Sequence, residues 1–319
     1  MVLLLTESDV RSVLTMDIAL QAVEEGMRGL ADGSAINQPR RRIMMQGGVL
    51  HYMASAVRSS RVFGLKAYPT FGGRVDFLIP LYNVETGKLL ALIEGDWLGR
   101  LRTGAASGVA TQYMARPESK TLGLFGTGGQ ARTQMLAVCA SRPIERVHVY
   151  SRNPENRAAF VAEMRPLVKA HIVAVHEPRA AVLDMDVIAT MTTASQPLFD
   201  GEWVMPGTHI NAAGSNHLKR REIDGRTIQR CARIAADSVE QAKLECGDLA
   251  GAVAEGVIKW EDVTEFADVV GGRVPGRSSP DEITLFESQG ISVWDIATAA
   301  RVYELAKERG LGQAIPLFE

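Results

Sequence analysis

The segment that most restricts the fold lies in mid-chain, where Thr121-Leu122-Gly123-Leu124-Phe125 runs straight into Gly126-Thr127-Gly128-Gly129-Gln130-Ala131. The first five residues read as a strand, the glycines as a tight turn, and residues 131–140 as the helix that follows. A second strand-like run, Arg146-Val147-His148-Val149-Tyr150, arrives where a βαβ unit requires one. Residues 172–175, 187–191 and 209–213 continue the alternation, with helix formers between several of them. Repeated βαβ units demand a parallel sheet covered on both faces, so this half of the chain is expected to be an α/β, Rossmann-type doubly wound sheet.

The turn matches G-x-G-x-x-A, and each small residue has a physical task. Gly126 permits the sharp turn, Gly128 lets backbone approach a pyrophosphate, and Ala131 allows close helix–strand packing while the helix N-terminus faces the anion. Gly126, Thr127, Gly128, Gly129 and Gln130 are therefore candidate dinucleotide contacts. The end of the second strand bears on which dinucleotide. An NAD site usually carries Asp or Glu there to bind the ribose hydroxyls. Here the residues are Ser151-Arg152-Asn153. No carboxylate repels a 2′-phosphate, and the Arg152 guanidinium suits one. NADP(H) is the expected cofactor, with NAD(H) the alternative. Thr103, Thr192, Gly214 and Ser215 complete this candidate set.

The preceding part follows a different rhythm. Residues 6–31 show helical periodicity, whereas residues 36–94 break into short apolar runs separated by turns such as Phe71-Gly72-Gly73-Arg74 and Glu85-Thr86-Gly87-Lys88, which suggests hairpins. A further helix is expected over 103–114 and another over 295–309. The domain expectation is an α+β domain of residues 1–115 with 297–319, and a dinucleotide domain of residues 116–296. At 319 residues, with 46% hydrophobic and 23% charged residues, the chain has ordinary globular composition. A net charge of −2 offers nothing to neutralise a nucleic-acid backbone. No window supplies the roughly 18 to 20 apolar residues of a membrane span. Cys139, Cys231 and Cys246 are dispersed, so a reducing cytoplasm is expected and no zinc site is suggested. Neither a metal-binding H-E-x-x-H nor a G-x-S-x-G elbow occurs; chemistry without a metal is expected.

Two basic residues of the first part stand out. Lys66 sits in Val62-Phe63-Gly64-Leu65-Lys66-Ala67-Tyr68, where partial desolvation would pull its pKa toward the range useful for proton transfer. Arg102 precedes the expected helix start at Thr103, where a bound carboxylate would gain from both the guanidinium and the helix dipole. Arg41, Arg42 and Arg100 read as solvated.

In this order and combination, several motifs resemble the ornithine cyclodeaminase/mu-crystallin family along essentially the whole chain. They are Pro39-Arg40, Gly64-Leu65-Lys66, Glu85-Thr86-Gly87, Leu101-Arg102-Thr103-Gly104-Ala105-Ala106, Gly126-Thr127-Gly128-Gly129-Gln130, Asn211-Ala212-Ala213-Gly214, and 281–286 followed by Ser288-Gln289-Gly290. The resemblance implies a homodimer, with the N-terminal domain completed by the C-terminal helix, and hydride exchange at the α-carbon of a small amino or imino acid. It implies that Arg40 and Arg102 clamp the α-carboxylate, that Lys66 lies beside the reacting nitrogen, and that Gln289 and Gly290 lie near the nicotinamide. Two departures matter. Asn216 stands where the cyclodeaminases have an aspartate, and His51 where they have a glutamate. Both changes remove charge that a diamino acid would need, so the expected activity is NAD(P)H-dependent reduction of cyclic or linear α-imino acids. Lys66 or His51 would supply the proton, since histidine titrates near neutrality. Alanine dehydrogenation, ornithine cyclodeamination and non-catalytic NADPH-containing ligand binding are the alternatives.

Overall fold

The computed structural model describes residues 1–214 and 216–318. The chain divides into two compact units, Met1–Thr103 with Ile291–Glu319, and Gly104–Gly290. Helix Asp96–Met114 contributes residues to both.

The first unit is built on a mostly antiparallel sheet, in the order Gln313–Ile315, Val2–Leu5, Leu89–Glu94, Leu78–Asn83, Val62–Phe71, Gly48–Val57, Ala35–Asn37. Strand Arg41–Met45 adds to Gly48–Val57, and Arg74–Val75 to Val62–Phe71. The long hairpin Gly48–Val57/Val62–Phe71 sets the register on which the site depends, with His51 opposite Tyr68 and Met53 opposite Lys66. Directly opposed residues share a face, and the period of two keeps Lys66 and Tyr68 together. Helix Ser292–Glu308 packs on this hairpin and on helix Met16–Asp32, which leaves it buried nearly all round; Trp294 donates from its indole to Met27 Sδ at 3.0 Å. Gly64 makes the close approach possible, because a Cβ there would strike the Pro80 carbonyl and come within 2.9 Å of Ile296 Cδ1.

Two helical expectations are corrected. The 6–31 segment is two helices, Glu7–Val13 and Met16–Asp32, because Thr15 breaks the run and N-caps the second by accepting from Ile18 N. The helix expected from 103 starts at Asp96 instead, so Arg102 lies within the helix rather than at its start, and the dipole argument for it lapses.

The second unit holds eight strands among the described residues, ordered His171–Ala174, Arg146–Tyr150, Thr121–Phe125, Val187–Thr190, His209–Ala212, Ile283–Glu287, Cys231–Ala236, Val263–Glu265. Every pairing is parallel. Apolar layers cover both faces: Leu122, Leu124, Val147 and Val149 on one, and Phe125, Ile188, Ile210 and Leu285 on the other. Strand order reverses beside Thr121–Phe125, whose sequence successor lies on one side and Val187–Thr190 on the other. A crevice for a ligand forms at such a switch point, beyond the carboxyl ends of the strands.

Candidate active site

In the second unit, the glycine turn leaves strand Thr121–Phe125 at the switch point. Gly126 has φ 110°, which a side chain rarely adopts, and a Cβ there would strike the Met191 carbonyl. Gly128 N-caps helix Gly129–Ser141 without a side-chain cap, so the first amides of the helix keep their donors for another acceptor. A Cβ at Gly128 would meet no protein atom within 4 Å. The space before the helix start therefore accommodates a ligand in contact with backbone, and these residues fit a dinucleotide pyrophosphate. Thr127 Oγ1 donates to Ser151 Oγ at 3.4 Å, and Ser151 Oγ to the Asn153 carbonyl at 3.2 Å. Asn153 caps the next helix by accepting from Asn156 N at 2.7 Å, while Arg152 is exposed.

Two buried carboxylates that the sequence reading misses organise the remaining loops of this unit. Glu222 Oε1 accepts from Thr192 N and Thr192 Oγ1, each at 2.6 Å; its Oε2 accepts from Thr190 Oγ1 at 2.8 Å and Gly214 N at 2.9 Å. Glu222 thus ties the segment after Val187–Thr190 to the segment after His209–Ala212, and a Cβ at Gly214 would press into the carboxylate and displace it. Burial raises the Glu222 pKa against the lowering effect of those donors. Asp237 Oδ2 accepts from Gln289 N at 2.8 Å and Gly290 N at 2.6 Å, and burial pushes its carboxyl up to about 7. The candidate residues Thr192 and Gly214 are thereby held by one acid and Gln289 and Gly290 by another. Asn216 and His217 are exposed. Ser215 lies outside the described residues.

In the first unit, Lys66 and Arg102 come together on a residue the sequence reading does not single out. Lys66 Nζ donates to Asp295 Oδ1 at 2.9 Å, and Arg102 Nε donates to the same oxygen at 3.0 Å. The side chains of Lys66, Arg102 and Asp295 are 4%, 6% and 0% exposed, so these are charges out of water. Desolvation lowers the Lys66 pKa to about 8; Asp295 raises it, and Arg102 and Arg40 lower it further. The ring of Phe77 lies 4.6 Å from Lys66 Nζ and that of Tyr68 5.9 Å. Tyr68 in turn stacks on His51, with centroids 4.5 Å apart. Arg40 is buried at 6% exposure. Among the described residues Arg102 Nη1 and Asp295 Oδ2 are buried without a hydrogen-bond partner. Thr103 Oγ1 donates to the Gly99 carbonyl at 2.7 Å. The first unit thus gathers three cations, one carboxylate and an aromatic wall, a set suited to a small carboxylic acid that receives a proton.

The structure is similar to Delta(1)-pyrroline-2-carboxylate reductase of Thermococcus litoralis in complex with NADH and L-proline, with a TM-score of 0.93 and 37% identity over 98% of this chain and 100% of that one. An archaeal alanine dehydrogenase dimer with bound NAD gives a TM-score of 0.92 and 34% identity over 99% of both chains. By sequence, Delta(1)-pyrroline-2-carboxylate reductase of Bacillus cereus is 38% identical over 242 residues, which is 76% of this chain and 74% of that protein. No helix among the described residues is long and apolar enough to cross a membrane. The family model for ornithine cyclodeaminase/mu-crystallin proteins matches residues 2–310, and the chain belongs to that family.

Proposed function

We propose that the protein is an NAD(P)H-dependent reductase of small α-imino acids, with cyclic ketimines of the pyrroline-2-carboxylate type as its preferred substrates and L-amino acids as products. The observation that carries this reading is the buried meeting of Lys66 and Arg102 on Asp295, which leaves Arg102 Nη1 without a partner among the described residues. A carboxylate supplies the acceptor that this donor lacks, in a bond strengthened by charge. Arg40 and Arg102 hold the α-carboxylate, and Lys66 meets the imine nitrogen. With its pKa near 8, Lys66 is an ammonium at neutral pH yet gives up its proton readily. Its N–H bond breaks as the substrate N–H bond forms, and the lysine is left as a neutral amine. His51, stacked on Tyr68, is the second candidate for this proton. A bound reduced nicotinamide supplies the hydride that saturates the C=N carbon.

The dinucleotide is held by Gly126–Gln130 at its pyrophosphate, by Ser151, Arg152 and Asn153 at its adenosine ribose, and by Thr192, Gly214, Gln289 and Gly290 toward the nicotinamide. With no carboxylate at 151–153 and Arg152 exposed, NADP(H) is preferred over NAD(H). Asn216 adjusts the fit of the substrate side chain and provides no carboxylate base for cyclodeamination. The enzyme works as a homodimer, and its free thiols Cys139, Cys231 and Cys246 suit a reducing cytoplasm.

The test is oxidation of NADPH and of NADH at neutral pH against pyrroline-2-carboxylate, piperideine-2-carboxylate, and pyruvate mixed with ammonia or methylamine. Turnover highest on the cyclic imines supports the proposal. Turnover confined to pyruvate and ammonia assigns an alanine dehydrogenase instead.

A further inference from the structure

Three elements far apart in the chain meet at a single oxygen atom. Lys66 comes from strand Val62–Phe71, Arg102 from helix Asp96–Met114 and Asp295 from helix Ser292–Glu308. Nζ and Nε reach Asp295 Oδ1 at 2.9 and 3.0 Å. Withdrawing a carboxylate from water is costly, and packed apolar side chains in its place are often no less stable. A buried ion cluster is thus weak evidence for stability, and position is the stronger explanation for this one. Gly99 supports that explanation independently. A Cβ at residue 99 would lie 2.8 Å from Lys66 Nζ, so the helix surface is cleared where the ammonium sits. The face of Phe77, 4.6 Å from Nζ, offers a further favourable contact for the cation. Lys66 is therefore bounded by a bare helix surface, an aromatic ring and a carboxylate.

We propose that Asp295 is a positioning residue for the reduction, whose Oδ1 holds the Lys66 ammonium and the Arg102 guanidinium at fixed spacing so that one grips the substrate carboxylate while the other faces the imine nitrogen. This rests on the imino-acid reductase reading. Asp295 exchanges no proton in the step; the proton passes from Lys66 to the substrate nitrogen, and Lys66 is reloaded from solvent. The groups that act on Lys66 from neighbouring elements are Asp295, Arg102 and Arg40, together with the Phe77 and Tyr68 rings. Asp295 is the negative member of that set. Without its charge, Lys66 faces two guanidinium groups and loses its proton at lower pH.

The deciding experiment follows the 13Cε resonance of Lys66 in lysine-labelled protein, assigned by its loss in Lys66→Met, through a pH titration of the wild type, Asp295→Asn and Arg102→Gln. Asparagine keeps the shape and an acceptor oxygen but not the charge. The expected result is a titration midpoint lower by about one pH unit or more in Asp295→Asn and higher in Arg102→Gln. The alkaline limb of kcat/KM should move down with the resonance in Asp295→Asn, and kcat should fall about tenfold or more. An unmoved resonance in a folded, dinucleotide-binding Asp295→Asn overturns the role of Asp295. If that variant does not fold, Asp295→Ser is titrated in its place, and an unmoved resonance there does the same. The resonance requires no turnover, so a wild type that reduces no imino acid overturns the functional reading separately.

Discussion

Lys66 Nζ lies 2.9 Å from Asp295 Oδ1 although 229 residues separate them in the chain. Removing one partner of such a buried pair leaves an uncompensated charge, which costs about 3 to 5 kcal/mol. Asp295→Ala is therefore expected to lower the unfolding free energy by about that amount in urea titration, and adding Lys66→Met should restore part of the loss. Additive effects in this double-mutant cycle would mean that the pair is not coupled.

Activity should depend on pH through Lys66. With Lys66 as the proposed proton donor, the ammonium would be the reactive form; its pKa is lowered to about 8, so kcat/KM is expected to hold below that pH and decline as pH rises through it. Lys66→Met should reduce kcat by about a hundredfold or more while dinucleotide binding, read by fluorescence, is retained. A variant with near wild-type turnover would remove Lys66 from proton transfer and leave His51 as the candidate.

Glu222 links two loops of the dinucleotide-binding unit through four hydrogen bonds, two on each oxygen. Glutamine keeps one acceptor oxygen and must abandon one pair. Glu222→Gln should weaken dinucleotide binding by about tenfold or more, which corresponds to about 1.4 kcal/mol. Calorimetric titration with an unchanged dissociation constant would show that these loops do not depend on the tie.

At Arg152 the prediction concerns discrimination. If Arg152 pairs with a 2′-phosphate as proposed, Arg152→Glu replaces that partner with a like charge, so the dissociation constant for NADPH should rise about tenfold to a hundredfold while that for NADH changes less than about threefold. Equal losses for both dinucleotides would place Arg152 outside the selection.

Burial also raises acids deeper in the same unit. Asp248 is pushed up to about 7, with its Oδ1 accepting from Glu222 N and Ile223 N. Because the folded pKa exceeds the unfolded value of about 3.9, the stabilisation from its proton is full below the unfolded value and is lost as pH rises through 7. Asp248→Asn does not titrate. Its urea midpoint should fall less than that of the wild type between pH 5 and pH 8, and parallel curves would contradict the assignment.

What the sequence reveals here depends on distance along the chain. Strands Thr121–Phe125 and Arg146–Tyr150 are legible because the strand, glycine turn and helix signals are contiguous. Cys231–Ala236, Val263–Glu265 and Ile283–Glu287 are not assigned as strands, because Arg233, Thr264 and Thr284 interrupt their apolar patterns. The start of helix Asp96–Met114 is hidden by Gly99, which reads as a breaker but in the fold clears space for Lys66. Lys66 and Arg102 are visible as cations in apolar surroundings. Asp295, Glu222 and Asp237 are not, since a carboxylate gains its role from partners as far as 229, 32 and 53 residues away, and no local pattern marks it.

The measurement that bears most directly on the proposed reduction is isotope transfer from [4,4-2H2]-labelled NADPH, deuterated on both faces of C4, during turnover of pyrroline-2-carboxylate, with the product resolved on a chiral column and weighed by mass spectrometry. The expected product is L-proline carrying one deuterium at its α-carbon. Unlabelled proline, or an absence of proline beside labelled alanine from pyruvate and ammonia, would contradict the proposed reduction.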